Sequence, residues 1–218
     1  MAYDPRYHHR RSIRLSGYDY GLPGTYFITI CTHNRICLFG DIVDGRMHLS
    51  AAGQIVEREW RKSADLRHEI RLDAFVVMPN HVHGVVGIVG MIQPTDAQGA
   101  DCHPPLQRAS RSLSSFVAGF KGAVTREINR QRASSDAVVW QRGYYDHIVR
   151  STRALDAIRH YILTNPQRWS HDAENPSGDG TDTLESFLTT IDVSTPMAEK
   201  DSIDEFITFI NPWHGHTP

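Results

Sequence analysis

Two apolar segments follow each other with almost no chain between them, and this pair most constrains the fold. IRLDAFVVM (70–78) and HVHGVVGIV (81–89) are rich in β-branched residues, and only Pro79 and Asn80 separate them. Runs of this kind, bounded by turn residues, are typical of β-strands. Because a tight link between neighbouring strands makes a hairpin, the sequence predicts an antiparallel sheet built around these two strands.

The other elements alternate between strands and helices. TYFITICTH (25–33) predicts a buried strand, and a short strand is predicted after it. Ser50 is suited to cap a first helix, an apolar stripe over 113–128 predicts a second, and Ser151 caps a third that Pro166 ends. The resulting order, β-β-α-β-β-α-(β)-α, predicts an α+β fold with helices packed on one face of an antiparallel sheet.

Charge divides the chain into unequal parts. Residues 1–171 carry 22 lysines and arginines against 15 acidic residues, whereas residues 172–218 carry one lysine against 10 acidic residues, so the balances are +7 and −9. We therefore expect a basic N-terminal arm (1–24), a domain (25–171), and an acidic, partly disordered C-terminal tail (172–218). An arginine-rich body favours a nucleic-acid partner. The alternative is a solvated surface that carries a disordered tail.

Composition also bears on where the protein works. No apolar run approaches the roughly 18 residues that span a bilayer, and the N-terminus lacks the apolar stretch of a signal peptide. The three cysteines (Cys31, Cys37 and Cys102) form no CxxC motif, which predicts free thiols in a reducing cytoplasm. A link between Cys31 and Cys37 is the less favoured alternative. We expect a cytoplasmic protein without a membrane partner.

Four residues in two distant segments predict a metal site beside a phenol. His81 and His83 stand two apart on a predicted strand, so their side chains point to the same face. Tyr161 and Asn165 stand four apart on a predicted helix and also share a face. Two imidazoles and an amide oxygen, with positions open for phosphate and water, suit Mg²⁺ or Mn²⁺. Tyr161 would be a nucleophile toward a phosphodiester that the metal activates.

Each of these residues also has an ordinary structural interpretation. In a chain with 13 histidines a His-x-His pair arises by chance, and two hydrogen-bonded histidines can simply line a sheet. Asn165 is a common type of residue for a helix end before Pro166, and Tyr161 could pack on the sheet. A phenol with an ordinary pKa of about 10 needs help to lose its proton. His160 and His147 are the candidate helpers.

Three separated motifs resemble those of one protein family. MPNHVHGVV resembles the HUH signature (histidine, hydrophobic residue, histidine) of single-tyrosine transposases. WQRGYYDHIVRS and IRHYILTNPQRW resemble the region of their catalytic helix. RRSIRLSGYDYGLPGTYFITICTHNR resembles the N-terminal segment of the REP-associated tyrosine transposase branch. The similarity runs from about Arg10 to Trp169, with the motifs in the same order.

The resemblance implies a fold, a reaction and a substrate. The fold would be a ferredoxin-like antiparallel sheet, the HUH endonuclease fold, with the histidine pair on a central strand. His81, His83 and Asn165 would bind a divalent metal, and Tyr161 would attack a phosphate in single-stranded DNA. Cleavage would leave a 5′-phosphotyrosine link and a free 3′-OH, so that a second 3′-OH could rejoin strands. The DNA would carry a REP-like hairpin, and the protein would act as a monomer or a homodimer.

Phosphate affinity is assigned to basic residues away from the predicted metal site. They belong to the N-terminal arm and to one flank of the second predicted helix: Arg10, Arg11, Arg14, Lys121, Arg126 and Arg130. The same residues support an alternative function, a nucleic-acid-binding module on this scaffold without catalysis. A relaxase or replication initiator would share the HUH chemistry, but the sequence has no helicase-like region.

Overall fold

The computed structural model of the chain describes Tyr20 and residues 22–89, 112–133 and 137–190. In chain order its elements are β1 (Gly24–Cys31), a short 3-10 helix (His33–Arg35), β2 (Gly40–Val43), β3 (Arg46–Leu49), α1 (Ala51–Leu66), β4 (Ile70–Val77), β5 (His81–Ile88), α2 (Leu113–Gln131), β6 (Tyr145–Val149), α3 (Thr152–Thr164), a second 3-10 helix (Asn165–His171) and α4 (Leu184–Thr190).

Four strands form the main sheet in the order β4-β5-β1-β6, and each neighbouring pair is antiparallel. The sequence of elements β1-α1-β4-β5-α2-β6 is the βαββαβ arrangement of the ferredoxin-like fold. The hairpin of β2 and β3 is an insertion between β1 and α1. The predicted fold class is therefore confirmed, and β5, which carries His81 and His83, is a central strand.

The two faces of the sheet are covered by different helices. On one face, Ile28 of β1 and Val82 of β5 belong to a core shared with α1 and α2. On the other face, Phe27 and Val85 pack with Ile158 of α3 and with α4. The prediction that the helices pack on one face is therefore correct for α1 and α2, whereas α3 and α4 cover the opposite face. Because both faces are covered, β5 is buried along nearly all of its length instead of alternating.

Serine caps begin the three long helices. Ser50, Ser112 and Ser151 each accept a hydrogen bond from the backbone N–H three residues ahead, at 3.2, 3.3 and 3.1 Å. The predicted caps Ser50 and Ser151 are confirmed. Pro166 ends α3 because proline has no N–H to continue the helix, and the chain goes on as the 3-10 helix Asn165–His171.

Gly84 allows the helix layer to approach the strand that carries the histidines. A Cβ added at Gly84 would lie 2.4 Å from Cη2 of Trp60 in α1 and 2.6 Å from its Cζ2. Trp60 is buried and its ring stacks on Phe75 with centroids 4.4 Å apart. The indole therefore has little room to move aside, and the absence of a side chain at Gly84 sets the spacing between α1 and β5.

The variant Gly84→Ala is expected to lower the free energy of unfolding by about 1–3 kcal/mol, because the added methyl group overpacks the core against Trp60. Chemical denaturation measures this change. Gly119→Ala on α2 is the matched control, since a Cβ there would meet nothing within 4 Å. It should leave stability unchanged or raise it by up to about 1 kcal/mol. Equal stability of both variants would contradict the tight contact.

Several sequence predictions fall outside the described residues: most of the arm 1–24, the loop 90–110, Cys102 and the tail beyond residue 190. The described part of the tail is ordered on the domain, because Leu184, Phe187 and Leu188 pack into the second core. The division of the chain at residue 171 remains a prediction. Cys31 and Cys37 are free thiols. None of the helices in the described ranges has the length and apolar character to cross a bilayer.

Candidate metal centre and nucleophile

His81 and His83 lie side by side on the face of β5 that α3 covers. Their side chains are almost completely buried, with exposures of 0% and 3%. The two Nε2 atoms are 3.0 Å apart. This distance suits one N–H···N hydrogen bond, or two lone pairs that share a cation. The pair shares one face of the strand, as the sequence predicted, and the structure adds the contact between the two rings.

Hydrogen bonds on the far side of each ring orient the imidazoles. The amide nitrogen of Asn80 donates to two backbone carbonyls, so its oxygen faces Nδ1 of His81 at 2.8 Å. Nδ1 of His81 must then carry the hydrogen, and its Nε2 presents a lone pair to the site. Nδ1 of His83 lies 2.9 Å from the Thr29 hydroxyl, which can donate or accept. A partner behind each ring is typical of histidines that bind metals.

Burial keeps both imidazoles neutral. The pKa of His81 falls to about 3, because desolvation disfavours the charged ring and the positive charge of Arg35 adds to the effect. The pKa of His83 lies well below its ordinary value, again through burial first and then through His81. Neutral imidazole is the form that binds metal ions, so both rings have the protonation state of a ligand.

Asp172 joins the two histidines, and the sequence analysis missed it. The carboxylate is 1% exposed, and its Oδ2 lies 3.8 Å from Nε2 of His81. Each of the three residues offers one ligand atom, and these atoms of His81, His83 and Asp172 all lie within 4.8 Å of one another. The surrounding segment, SHDAENPSGDG, has the composition of a linker, so its local sequence does not suggest Asp172 as a metal ligand. Its only signal was its position, shortly after Asn165 and beyond a helix break.

Asn165 reaches the same cluster from the end of α3. Its Nδ2 donates to Oδ2 of Asp172 at 3.0 Å, while its Oδ1 is buried without a hydrogen-bond partner. A buried acceptor left unsatisfied costs about 1–3 kcal/mol, and a cation would satisfy it. Two neutral imidazoles, a carboxylate and an amide oxygen fit a divalent metal ion. Asn165 and Asp172 are both candidates for the third protein ligand.

Tyr161 lies beside this cluster. Its ring centroid is 5.4 Å from that of His83 and 6.0 Å from that of Phe27, and the side chain is 3% exposed. Burial, followed by the charge of Asp172, raises the pKa of the phenol above its ordinary value. Tyr161, His83 and Asp172 line one cavity of about 680 Å³, whose wall also includes the exposed Arg142. A ligand would reach the phenol through this cavity.

Arg168 is a second residue that the sequence analysis passed over, although it lies within the motif NPQRW. Its guanidinium carbon is 4.8 Å from the ring centroid of Tyr161 and 4.7 Å from that of Phe187. It also donates to the carbonyl of Tyr161 at 3.0 Å and forms an ion pair with Asp182. Arg168 therefore supports the helix turn that carries Tyr161, and its charge acts against the rise in the pKa of the phenol.

The two histidines considered as helpers for Tyr161 lie at the edge of the site. His160 is exposed, and its ring centroid is 5.9 Å from that of Phe187. His147 lies on β6 opposite Phe27, and burial lowers its pKa. In the described part of the chain, neither forms a hydrogen bond with the Tyr161 hydroxyl.

The predicted phosphate-binding residues on α2 lie on the opposite face of the sheet from the cluster. Lys121 donates to two carbonyls of the loop 141–143, both at 2.7 Å, and burial lowers its pKa to about 8. Arg126 and Arg130 are exposed, and Arg130 pairs with Glu127 at 2.8 Å. Arg10, Arg11 and Arg14 lie outside the described residues. The contribution of all six residues to DNA binding stays a prediction.

Comparison with known proteins finds one relative that covers most of the chain. An uncharacterized protein of Haemophilus influenzae strain Rd is 39% identical over 179 residues, which span 78% of this chain and 95% of the relative. This chain belongs to the family of that protein. No family model matches the chain. Since the relative is itself uncharacterized, membership of the family does not bring an activity with it.

Two solved structures share part of the architecture. A REP-associated tyrosine transposase bound to a REP hairpin aligns with a TM-score of 0.47 and 20% identity, covering 72% of this chain and 73% of that one. A putative transposase from Deinococcus radiodurans aligns with a TM-score of 0.38 and 20% identity, covering 69% and 95%. At these TM-scores neither likeness carries an argument about function, and the fold rests on the strand order described above.

Proposed function

We propose that this protein is a divalent-metal-dependent enzyme that cleaves and rejoins single-stranded DNA, with Tyr161 as the nucleophile. This is the activity that its sequence motifs imply for an HUH tyrosine transposase of the REP-associated branch. The observation that carries the proposal is the meeting of Tyr161 with His83, at 5.4 Å between ring centroids, in a cavity that Asp172 also lines. A phosphate bound at the histidines would lie within reach of the phenol.

The proposed reaction is a phosphoryl transfer to tyrosine. A bound Mg²⁺ or Mn²⁺ would polarise the phosphate and neutralise the charge that develops on it. The Tyr161 oxygen forms a bond to phosphorus while the bond to the 3′-oxygen breaks. The phenol proton passes to water in the cavity, and the 3′-oxygen gains a proton. The products are a 5′-phosphotyrosine and a 3′-OH, and attack by another 3′-OH restores both the phosphodiester and Tyr161.

The proposed substrate is single-stranded DNA that forms a REP-like hairpin. The sequence motifs imply this substrate, and the buried position of Tyr161, 3% exposed in the cavity wall, favours a single strand that can enter the cavity. The basic arm (1–24) and the exposed arginines of α2 would add phosphate affinity that does not depend on base sequence. We propose that the protein acts in the cytoplasm, as a monomer or a homodimer.

One observation favours the alternative, a nucleic-acid-binding module without catalysis. Tyr161 is 3% exposed and burial raises its pKa, so the phenol is held neutral and poorly accessible. A binding module would have no need of an accessible phenol or of a metal. In that case DNA affinity would be the same in Mn²⁺ and in EDTA, and the histidine pair would be a structural hydrogen-bonded pair.

A denaturing gel separates the two functions. Purified protein is incubated with single-stranded hairpin DNA that is labelled at its 3′ end and carries a library of flanking tetranucleotides, in Mn²⁺, Mg²⁺ or EDTA. The proposed enzyme gives a protein-sized shift of the label with metal and none with EDTA. If native gels show binding but no metal produces the shifted band from any member of the library, the binding module is the correct function.

The variant Asp172→Asn is expected to weaken Mn²⁺ binding by about tenfold or more, because the carboxylate supplies the only negative charge among the proposed ligands. Electron paramagnetic resonance of free Mn²⁺ measures the dissociation constant directly. Asp179→Asn is the matched control, since this carboxylate is exposed and pairs with His171. Unchanged Mn²⁺ affinity in Asp172→Asn would leave Asn165 as the third ligand, as the sequence predicted.

A further inference from the structure

Asn80 contacts both halves of the proposed metal site. It is 0% exposed, and its Oδ1 accepts a hydrogen bond from Nδ1 of His81 at 2.8 Å. Its Nδ2 donates to the carbonyl of Glu174 at 2.7 Å and to the carbonyl of Arg35 at 3.2 Å. Both amide hydrogens are therefore in use. A single side chain thus joins the strand that carries the histidines to the segment that carries Asp172.

The segment 172–174 has no helix or strand of its own to hold it against the sheet. Two backbone hydrogen bonds connect this region to Asp182: the N–H of Ala173 donates to the carbonyl of Asp182 at 3.2 Å, and the N–H of Asp182 donates to the carbonyl of His171 at 2.8 Å. Both bonds lie within the C-terminal segment and do not attach it to the sheet. The N–H of Glu174 donates to Oδ1 of Asp172 at 2.7 Å. The Asp172 carboxylate therefore has two supports, the amide of Asn165 on Oδ2 at 3.0 Å and the backbone at Glu174 on Oδ1.

Besides Cys31, whose Sγ donates to Oε2 of Glu174 at 3.3 Å, Arg35 also holds this segment. Its guanidinium donates to the carbonyl of Ala173 at 3.3 Å and pairs with the carboxylate of Glu174 at 3.0 Å. The side chain of Arg35 is 47% exposed, so this contact lies at the surface and an exposed ion pair of this kind is weak. The buried amide of Asn80 makes the internal contact to the same backbone.

We infer that Asn80 is a positioning residue that sets the carboxylate of Asp172 against the lone pair of His81. This inference rests on the proposed metal site. The amide is suited to the task because it is both acceptor and donor. Its oxygen fixes which nitrogen of His81 carries the hydrogen, and its nitrogen fixes the backbone next to Asp172. A carboxylate at this position could do only the first, and an alanine could do neither.

The variant Asn80→Asp therefore separates the two contacts. It retains an oxygen acceptor for His81 but cannot donate to the carbonyl of Glu174, so the segment 172–174 is released. Mn²⁺ dissociation constants are measured by electron paramagnetic resonance for the wild type, Asn80→Asp, Asp172→Asn and the double variant. We expect Asp172→Asn to raise the Mn²⁺ dissociation constant by about tenfold or more in the wild type. In the Asn80→Asp background the same substitution should raise it by less than about twofold. The direct effect of the added charge on Mn²⁺ is common to both members of a pair and cancels, but its repulsion of Asp172 does not. Asn80→Ala removes both contacts without adding a charge and should show the same reduced effect of Asp172→Asn.

Two further variants control for indirect effects. Asn129→Asp removes an amide donor to a backbone carbonyl, that of Ala137 at 3.2 Å, on α2 and away from the site. In the Asn129→Asp background, Asp172→Asn should weaken Mn²⁺ binding by the same factor as in the wild type. Arg35→Met removes only the weak surface contact, so the Mn²⁺ affinity lost through Asp172→Asn should shrink less there than in Asn80→Asp. If thermal melting shows that Asn80→Asp does not fold, Asn80→Ala decides the matter.

The outcomes distinguish the inference from the function on which it rests. If Asp172→Asn weakens Mn²⁺ binding by the same factor in the wild type and in the Asn80 variants, then Asn80 does not position the carboxylate, while the metal site stands. If the wild type shows no saturable Mn²⁺ binding, the proposed metal-dependent function fails together with the inference. If Asp172→Asn weakens Mn²⁺ binding in Asn129→Asp but no longer does so in Asn80→Asp, the result supports both the metal site and the role of Asn80.

Discussion

Replacing Tyr161 with phenylalanine is expected to abolish the covalent protein–DNA adduct and DNA cleavage completely. The change removes only the oxygen that would bond to phosphorus. The ring would keep its packing against Phe27, His83 and Phe187, with centroids at 6.0, 5.4 and 5.3 Å, and its contact with Arg168. The fold, Mn²⁺ affinity and hairpin affinity should therefore stay close to those of the wild type. A denaturing gel with labelled DNA and Mn²⁺ measures the adduct.

Tyr145→Phe is the matched control for this loss. Tyr145 lines the same cavity, and its hydroxyl donates to the carboxylate of Glu185 at 2.5 Å. Burial raises its pKa, as it does for Tyr161. Tyr145 is thus a second phenol of the same cavity whose hydroxyl is bound to Glu185, and its replacement should preserve the adduct. An adduct that persists in Tyr161→Phe and vanishes in Tyr145→Phe would transfer the nucleophile to Tyr145.

His83→Ala is expected to reduce Mn²⁺ affinity and DNA cleavage by more than about 100-fold, because a ligand is lost from the centre of the site and not merely from its surroundings. Affinity for the hairpin in EDTA should change little, since most phosphate contacts are proposed to lie elsewhere. Electron paramagnetic resonance, the denaturing gel and fluorescence anisotropy measure the three quantities. His81→Ala should behave in the same way.

The stability of His83→Ala must be measured alongside its activity. The substitution leaves the Thr29 hydroxyl without its partner at 2.9 Å, and a buried polar group that loses its partner costs about 1–3 kcal/mol. Thermal melting shows whether the variant is folded at the assay temperature. His68→Ala is the control, since His68 is exposed between α1 and β4. Parallel losses of hairpin binding and cleavage in a folded His83→Ala would argue against a dedicated metal role.

Local patterns in the sequence were enough to predict the sheet and the helix ends. The hairpin of β4 and β5, the caps Ser50 and Ser151, and the break at Pro166 all depend on residues a few positions apart. The common face of His81 and His83 is also local, since side chains on a strand alternate with a period of two. Their contact at 3.0 Å between Nε2 atoms also depends on the hydrogen bonds of Asn80 and Thr29, which orient the two rings.

The sequence by itself thus determined the antiparallel α+β architecture, the histidine pair and the helix that carries Tyr161. Only the tertiary structure decided that α3 covers the face opposite α1 and α2, and that Tyr161 is consequently buried beside His83. It alone brought Asp172 to the pair, from a segment whose composition indicates a linker. These features depend on contacts between distant parts of the chain, such as the hydrogen bond of Asn80 to Glu174, and no local periodicity encodes such contacts.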